Sequence, residues 1–500
     1  MNSESGCIPE KLSSVFIIFG ATGDLTRRKL MSALYNLVSD DLLPKNFVII
    51  AIGRQDKTTD QYREEVLAAI IKYSRNKVDP KIWQKLSSMI IYHKFDFKDL
   101  DEYVVLKSFI RKVEKDNCTE GNRVFYLAVA PLYFETIVEG IQKGKLNEDC
   151  SGFCRCVIEK PFGKNLETAT KLNESILKVF SEKNIYRIDH YLGKDMIQNI
   201  MVLRFCNSVF ESIWDNKHID NIQISLTEEL GIGSRANYYE QSGAMRDMFQ
   251  NHIMQIMSLV AMEPPVNLNM DSIRNEKQKV LESIEEISDE FLKKNVIFGQ
   301  YGEGIIHGEK VSAYRDEENV NHVSETETFV ALKMHINNFR WAGVPFYIRT
   351  GKRLGTTSGE IIVQFKDLPN TLYYKENRVK QPNLLILHIQ PNVGVFFQFN
   401  TKDFTTHNDI VPAKMDTSSF IPDQGNTPEA YERLIHDILR GDASLFSRWD
   451  EVESAWAIAD RIIKYREQMK IDLPNYKAGS MGPQRAFDLI EKDGRNWITV

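Results

Sequence analysis

Val15-Phe-Ile-Ile-Phe-Gly20-Ala-Thr-Gly23-Asp-Leu-Thr-Arg27-Arg28-Lys29 reads as a β-branched apolar strand that runs without a break into a glycine turn and the start of a basic helix. Glycine lets the backbone turn tightly and approach a bound pyrophosphate, and the helix start behind it offers free N–H groups and a positive dipole end. The pattern is Gly-x-x-Gly, not the fuller G-x-G-x-x-G, so its weight comes from its place as the first strand-to-helix turn. Gly20, Ala21, Thr22, Gly23, Asp24 and Leu25 are therefore expected to hold a dinucleotide.

Outward from this turn the texture alternates. Leu30, Leu34, Leu37 and Val38 recur at helical spacing, and Phe47–Ile52 is a second apolar strand. Tyr62, Val66, Ala69 and Tyr73 form a helical stripe, Met89–Phe95 a third strand, and Tyr103, Leu106, Ile110 and Val113 another helix. Arg123–Val129, Leu132–Lys143, Arg155–Glu159, Thr168–Lys183 and Asn184–Asp189 continue the series. Alternating strands and helices predict right-handed βαβ units and an α/β, doubly wound parallel sheet covered on both faces. Residues 1–187 are thus expected to form a Rossmann-like dinucleotide domain, and 188–500 an α+β domain with a large, mainly antiparallel sheet. In the second part Ala244–Met262 reads as a long helix ended by Pro264-Pro265. Thr328–Ile336, Phe346–Arg349, Glu360–Phe365, Leu384–Gln390 and Gly394–Phe399 read as strands. The charged stretch Glu276–Lys294 is expected as an exposed helix, Thr401–Gly425 as a long surface loop, and Tyr476–Arg485 as a mobile end.

Bulk composition agrees with a soluble globular protein of two or three domains: 500 residues, 42% hydrophobic and 26% charged. A net charge of −6 argues against nucleic acid or an anionic membrane as a general partner. The opening residues MNSESGCIPEKLSS hold no apolar leader, so a cytoplasmic location is expected. The six cysteines are too sparse for a disulfide scaffold, and Cys154 and Cys156 alternate onto one face of a strand. Buried thiols are favoured over zinc ligation, which lacks a C-x₂-C pair.

The end of the second strand discriminates between cofactors. An Asp or Glu there would bind the ribose hydroxyls of NAD; this chain has Gly53-Arg54, and a guanidinium suits a 2′-phosphate. Thr22, Arg28 and Lys29 add donors and charge. NADP is therefore favoured, with NAD as a second acceptor. Three further segments are dense in polar groups. Glu159-Lys160-Pro161-Phe162-Gly163 ends a buried strand, where ligand crevices lie, and proline holds Lys160 extended. Arg187-Ile-Asp189-His190-Tyr191-Leu192-Gly193-Lys194 reads as a strand end capped by Asp189, followed by a helix on which His190 and Lys194 share a face that can grip an anion. Arg246-Asp247-Met248-Phe249-Gln250-Asn251-His252 places a histidine in a long helix, and a histidine oriented by a carboxylate can take a hydroxyl proton.

Gly20–Arg27, Glu159–Gly163, Arg187–Lys194, Arg246–His252, Trp341-Ala-Gly-Val-Pro-Phe and Arg349-Thr-Gly-Lys352 occur together, in order, over about two-thirds of the chain. The chain thereby resembles the glucose-6-phosphate 1-dehydrogenase family. That resemblance implies oxidation of glucose 6-phosphate at C1 to 6-phosphoglucono-1,5-lactone with hydride transfer to NADP, the entry step of the oxidative pentose phosphate pathway. It implies His252 as general base with Asp189 as its carboxylate partner, and no metal. It places Lys160, His190, Tyr191, Lys194, Glu228, Asp247, Lys352 and Gln390 on the substrate. Arg54 and Thr22 fall on the adenine-ribose phosphate, and Tyr126 and Lys160 on the cofactor cleft. Animal members carry a second, structural NADP; Ser358, Ile362 and His388 stand here where basic residues would be needed, so none is expected. The resemblance also implies a homodimer or homotetramer. A dehydrogenase of another sugar or sugar phosphate, or a non-catalytic NADP or sugar-phosphate sensor, stays open at this level. Binding alone, however, has no need of a base such as His252.

Overall fold

The computed structural model describes residues 12–148, 150, 152–369, 372–375, 381–405, 409–417 and 427–498. The chain divides into two compact units. Met1–Lys194, Asn267–Arg274 and Asp423–Glu453 form the first; Asp195–Val266, Asn275–Pro422 and Ser454–Val500 form the second.

The first unit is built on β1 (Ser14–Phe19), β2 (Phe47–Gly53), β3 (Ile90–Lys94), β4 (Arg123–Leu127), β5 (Cys154–Glu159) and β6 (Ile185–Ile188). The sheet order is Phe446–Ser447, β6, β5, β4, β1, β2, β3, with the six numbered strands parallel and the short edge strand antiparallel. β1, β2 and β4 are buried along their whole length, which is why they read as unbroken apolar runs, whereas the edge strand β3 alternates. Because β1 lies between β2 and β4, the winding reverses there, and the crevice beyond their C-terminal ends is the switch point at which such sheets bind ligands. The helix Ala430–Arg440, far off in sequence, completes this core with Leu434, Ile435, Ile438 and Leu439. Its Glu432 accepts from Asn36 at 2.9 Å and from the guanidinium of Arg75 at 2.8–3.1 Å.

The second unit holds an eight-stranded sheet in the order Ile410–Asp416, Gly394–Lys402, Leu384–Gln390, Ser358–Phe365, Ile219–Thr227, Pro345–Gly351, Phe329–His335, Val296–Gly299. Every pairing is antiparallel except Pro345–Gly351 with Ile219–Thr227. Ile348, Ile224, Ile361 and Leu387 are register partners across four strands and are all fully buried. One residue along each strand, on the opposite face, lies a second row: Arg349, Ser225, Glu360, His388.

Several local expectations are corrected. Residues 190–194 are turns, and the helix begins only at Asp195, so His190 and Lys194 do not share a helix face. Asp189 accordingly caps no helix; its Oδ1 accepts the Tyr191 N–H at 3.0 Å within the turn. The Thr401–Gly425 segment contains the edge strand Ile410–Asp416; residues 406–408 and 418–425 lie outside the described residues. Glu276–Lys294 is broken between the helices Met270–Glu282 and Asp289–Asn295, and Lys277 is buried, so charge there did not mean exposure. Tyr476 is buried and Tyr476–Lys477 pairs with Tyr301–Gly302. Among the cysteines Cys156 is buried and Cys154 half-buried, but Cys118 and Cys206 are exposed; Cys7 lies outside the described residues. The helix Pro80–Met89 was not anticipated: it buries only Leu86, too little for a periodic stripe, although Asp79 caps it and proline opens it.

Candidate active site

Four pieces of the first unit converge on the carboxyl ends of its strands. β1 ends at Gly20, whose φ is +91° and where a Cβ would lie 2.3 Å from the Ala128 carbonyl oxygen after β4. No other residue type fits this crossing without strain. The Gly23 N–H returns to the Gly20 carbonyl at 2.9 Å and the Thr26 hydroxyl donates to it at 3.0 Å, so the turn is locked before the helix begins at Asp24. β2 ends at Gly53, and Arg54 beyond it is exposed, its guanidinium 5.9 Å from the Phe97 ring centroid. Among the described residues Arg54 makes no ion pair, whereas Arg28 is 3.5 Å from Asp24 and Lys29 is 2.7 Å from Glu429. Of Arg28, Lys29 and Arg54, only Arg54 has no ion pair among the described residues.

At the end of β5, Glu159 precedes Lys160, and the Lys160–Pro161 peptide is cis. The Tyr126 hydroxyl donates to Glu159 Oε1 at 2.6 Å, and the Tyr431 hydroxyl approaches both carboxyl oxygens at 3.3 and 3.4 Å. Burial pushes the Glu159 carboxyl up to about 7; the two hydroxyls and Lys160 pull it down, and Asp189 raises it further. A carboxyl with a folded pKa above its unfolded value of 4.5 contributes stability that is fully present below pH 4.5 and lost as pH rises through about 7. Relative to the permanently neutral Glu159→Gln, the wild type should therefore lose on the order of 3 kcal/mol across that window. Thermal melts of both proteins at pH 5 and pH 8 measure it, and a pH-independent difference in melting temperature would refute the assignment. β6 leads to Asp189, which is buried, and to the turn carrying His190, Tyr191 and Lys194. The Lys194 ammonium sits 3.8 Å from the Tyr191 ring centroid and the His190 ring meets the same tyrosine edge-on, so both side chains pack against one aromatic ring.

In the second unit Asp247 and His252 lie on the segment Met245–Ile253, which is wound as a π-helix. Hydrogen bonds from residue i to i+5 widen the turn, so residues five apart come toward one face, which α-winding would not allow. His252 is 1% exposed. Asp247 accepts from the Tyr238 hydroxyl at 3.1 Å and lies 3.9 Å from Lys352 Nζ, which also pairs with Glu228. The Tyr239 ring lies 5.2 Å from the Lys352 ammonium. Glu228, Asp247 and Lys352, expected on the substrate, are thus one charged cluster; Gln390 ends its strand opposite Gly359. The segment itself is anchored at its start: Glu327 accepts the Ala244 N–H on its carbonyl at 3.1 Å and the Met245 N–H on its carboxylate at 3.2 Å. Gly243, at φ +57°, leaves room for that carboxylate, because a Cβ would lie 2.3 Å from it. Gly243→Ala should cost at least about 2 kcal/mol and move the helix that bears His252, giving a lower denaturation midpoint and a lower kcat together. An unchanged midpoint would show that the turn relaxes freely.

Sequence reasoning missed Glu159, Tyr431, Tyr238 and Glu327. Glu159 had a signal, a carboxylate ending an otherwise apolar strand beside Lys160. Tyr431 and Glu327 had none, since they act from segments distant in sequence.

Residues 17–199 match the family described as glucose-6-phosphate dehydrogenase, NAD binding domain, and residues 201–498 match glucose-6-phosphate dehydrogenase, C-terminal domain. The chain belongs to the glucose-6-phosphate dehydrogenase family. It is 46% identical over 487 residues to glucose-6-phosphate 1-dehydrogenase of Bacillus subtilis, covering 97% of this chain and 98% of the relative. It is 44% identical to that of Chlamydia pneumoniae, covering 99% and 97%. A solved glucose-6-phosphate dehydrogenase in complex with its substrate glucose 6-phosphate superposes with a TM-score of 0.88 at 32% identity, covering 97% of this chain and 99% of the other. The family assignment makes the chain an oxidoreductase of glucose 6-phosphate with a nicotinamide-dinucleotide domain. No helix among the described residues is long and apolar enough to cross a membrane.

Proposed function

We propose that this chain oxidises glucose 6-phosphate at C1 to 6-phosphoglucono-1,5-lactone with NADP as the preferred acceptor and NAD as a second one, through His252 as general base. The observation that carries the reading is the π-wound segment: it carries the buried His252 together with Asp247, whose carboxylate shares one charged cluster with Lys352 and Glu228. Asp247, Glu228 and Lys352 supply acceptors and a donor for sugar hydroxyls, with Gln390 a further contact. His252 takes the C1 hydroxyl proton as the hydride leaves C1, and Asp189 orients the imidazole and balances its cation. The pairing of His252 with Asp189 rests on the resemblance. His190, Tyr191 and Lys194 hold the substrate phosphate, and Lys160 serves both substrate and cofactor.

The turn fits a dinucleotide. The Gly20 crossing keeps side chains out of the backbone's approach to a pyrophosphate, Gly20 to Leu25 line it, and Arg54 brings an exposed cation for a 2′-phosphate. When bound, the nicotinamide would accept the hydride from C1, so the hydroxyl proton and the C1 hydride go to separate acceptors. Tyr126 orders that end of the site through Glu159. A cytoplasmic homodimer or homotetramer, with no metal and no second NADP, belongs to the same reading. The test is direct: purified protein with glucose 6-phosphate and NADP should produce reduced nicotinamide, followed by absorbance. No signal above blank between pH 6 and 9 would overturn the proposal.

A further inference from the structure

Tyr126, Val157 and Glu159 lie on one face of the neighbouring strands β4 and β5: Tyr126 is the register partner of Val157, and Glu159 follows two residues on. The helix Ala430–Arg440 packs on that face and brings the Tyr431 hydroxyl onto the same carboxyl that Tyr126 holds. Glu159 is the last residue of β5 and is half-buried, so it stands where the sheet gives way to the crevice. Packing alone does not call for a carboxyl here. A glutamine would fill the same space and accept the same two hydrogen bonds with no charge to enclose.

The charged groups facing Glu159 are Lys160 beside it and Asp189 beyond β6, and the two phenols are its donors. Burial lifts the carboxyl to about 7 against the pull of the hydroxyls and Lys160, so it ionises within the neutral range. Burial, and then the Glu159 charge, raise both phenols, so Tyr126 and Tyr431 remain donors throughout. What a charge does at this position follows from topology. The winding reverses at β1, so one nucleotide half lies over β1 to β3 and the other over β4 to β6. With Arg54 past β2 on the 2′-phosphate, the nicotinamide falls to the second half, where Tyr126, Glu159 and Asp189 stand at or near adjacent strand ends. The oxidised nicotinamide ring is a cation and the reduced ring is neutral. A carboxylate at that end attracts the first and is indifferent to the second, and in a partly enclosed crevice this acts beyond contact distance. Lys160 has the opposite sign, and the Glu159 charge offsets it.

We propose that Glu159 is a specificity-determining residue for the oxidation state of the cofactor: its carboxylate, held by Tyr126 and Tyr431, favours the oxidised dinucleotide over the reduced one. The inference rests on the cofactor reading above. The hydride that neutralises the ring also ends its attraction to Glu159, so the charge that draws in the oxidised cofactor does not hold the reduced one.

Equilibrium binding to the full-length protein, without substrate, reads this out apart from turnover. NADPH is titrated by its own fluorescence and NADP by displacing it, at pH 6 and at pH 8.5. The ratio of the two dissociation constants cancels the 2′-phosphate, which ionises alike in both. In wild type the preference for NADP over NADPH should rise by about three- to tenfold between those pH values. In Glu159→Gln that rise should be lost, with NADP binding at pH 8.5 weakened by the same factor and NADPH binding little changed. Tyr431→Phe removes one donor to the carboxylate, so the rise should move to higher pH. A merely structural Glu159 would change both constants together. A ratio that rises equally in wild type and Glu159→Gln overturns the proposal. If Glu159→Gln does not fold, a rise that stays at the same pH in Tyr431→Phe overturns it. Failure to bind either cofactor would overturn the cofactor reading along with it, whereas wild-type binding of both at a pH-independent ratio overturns this proposal alone.

Discussion

Replacing His252 by asparagine should lower kcat by about 10²–10⁴-fold, the usual contribution of a positioned base, while KM for glucose 6-phosphate changes little. Asparagine retains a polar group of similar reach but cannot accept the C1 hydroxyl proton. The substrate's proposed anchors, Lys352, Asp247 and Glu228 for the sugar and His190 with Lys194 for the phosphate, are untouched by the substitution. A loss confined to kcat removes an interaction made in the transition state, whereas a loss shared with KM would mean that His252 mainly binds. The side chain is 1% exposed, so a folding control is required. The variant should melt within a few degrees of wild type and still be protected from denaturation by glucose 6-phosphate. Steady-state rates with saturating NADP check the prediction, and a kcat within threefold of wild type would remove His252 from the chemistry.

Arg54→Ala should raise KM for NADP by about 10- to 100-fold, the worth of a charge-assisted pair at about 1.5–3 kcal/mol, and leave KM for NAD nearly unchanged. The asymmetry follows from position. Arg54 lies just past the end of β2, exposed and without an ion pair among the described residues, whereas Arg28 and Lys29 already face Asp24 and Glu429. NAD lacks the 2′-phosphate and has nothing there for the guanidinium to hold. Raised salt should shrink the difference between the cofactors, because the contact is exposed and screened. Equal effects on both cofactors would assign Arg54 to the general architecture of the turn.

Much of the first unit was legible because its signals are local. Apolar strands four to seven residues long, alternating with helical stripes, allow few arrangements other than a doubly wound sheet. The glycine turn was legible for the same reason, since its backbone demand is written into two residues. The turn at Arg187–Lys194 was misread as helix because Asp189 followed by spaced cations imitates a helix start. The structure instead closes the Asp189 side chain on the Tyr191 N–H. Strand Ile410–Asp416 was misread as loop because an exposed edge strand carries polar residues and Pro412, which only an edge tolerates.

By itself the sequence determined the fold class, the dinucleotide turn with Arg54 beside it, and the residues proposed for proton and phosphate chemistry. These depend on residue type and short spacing. Only the tertiary structure decided which of them act as one. The closing of Tyr126 and Tyr431 on Glu159 and the gathering of Glu228, Asp247 and Lys352 into one charged cluster join segments remote in sequence. Such contacts are set by strand register and packing, which no local pattern of residues encodes.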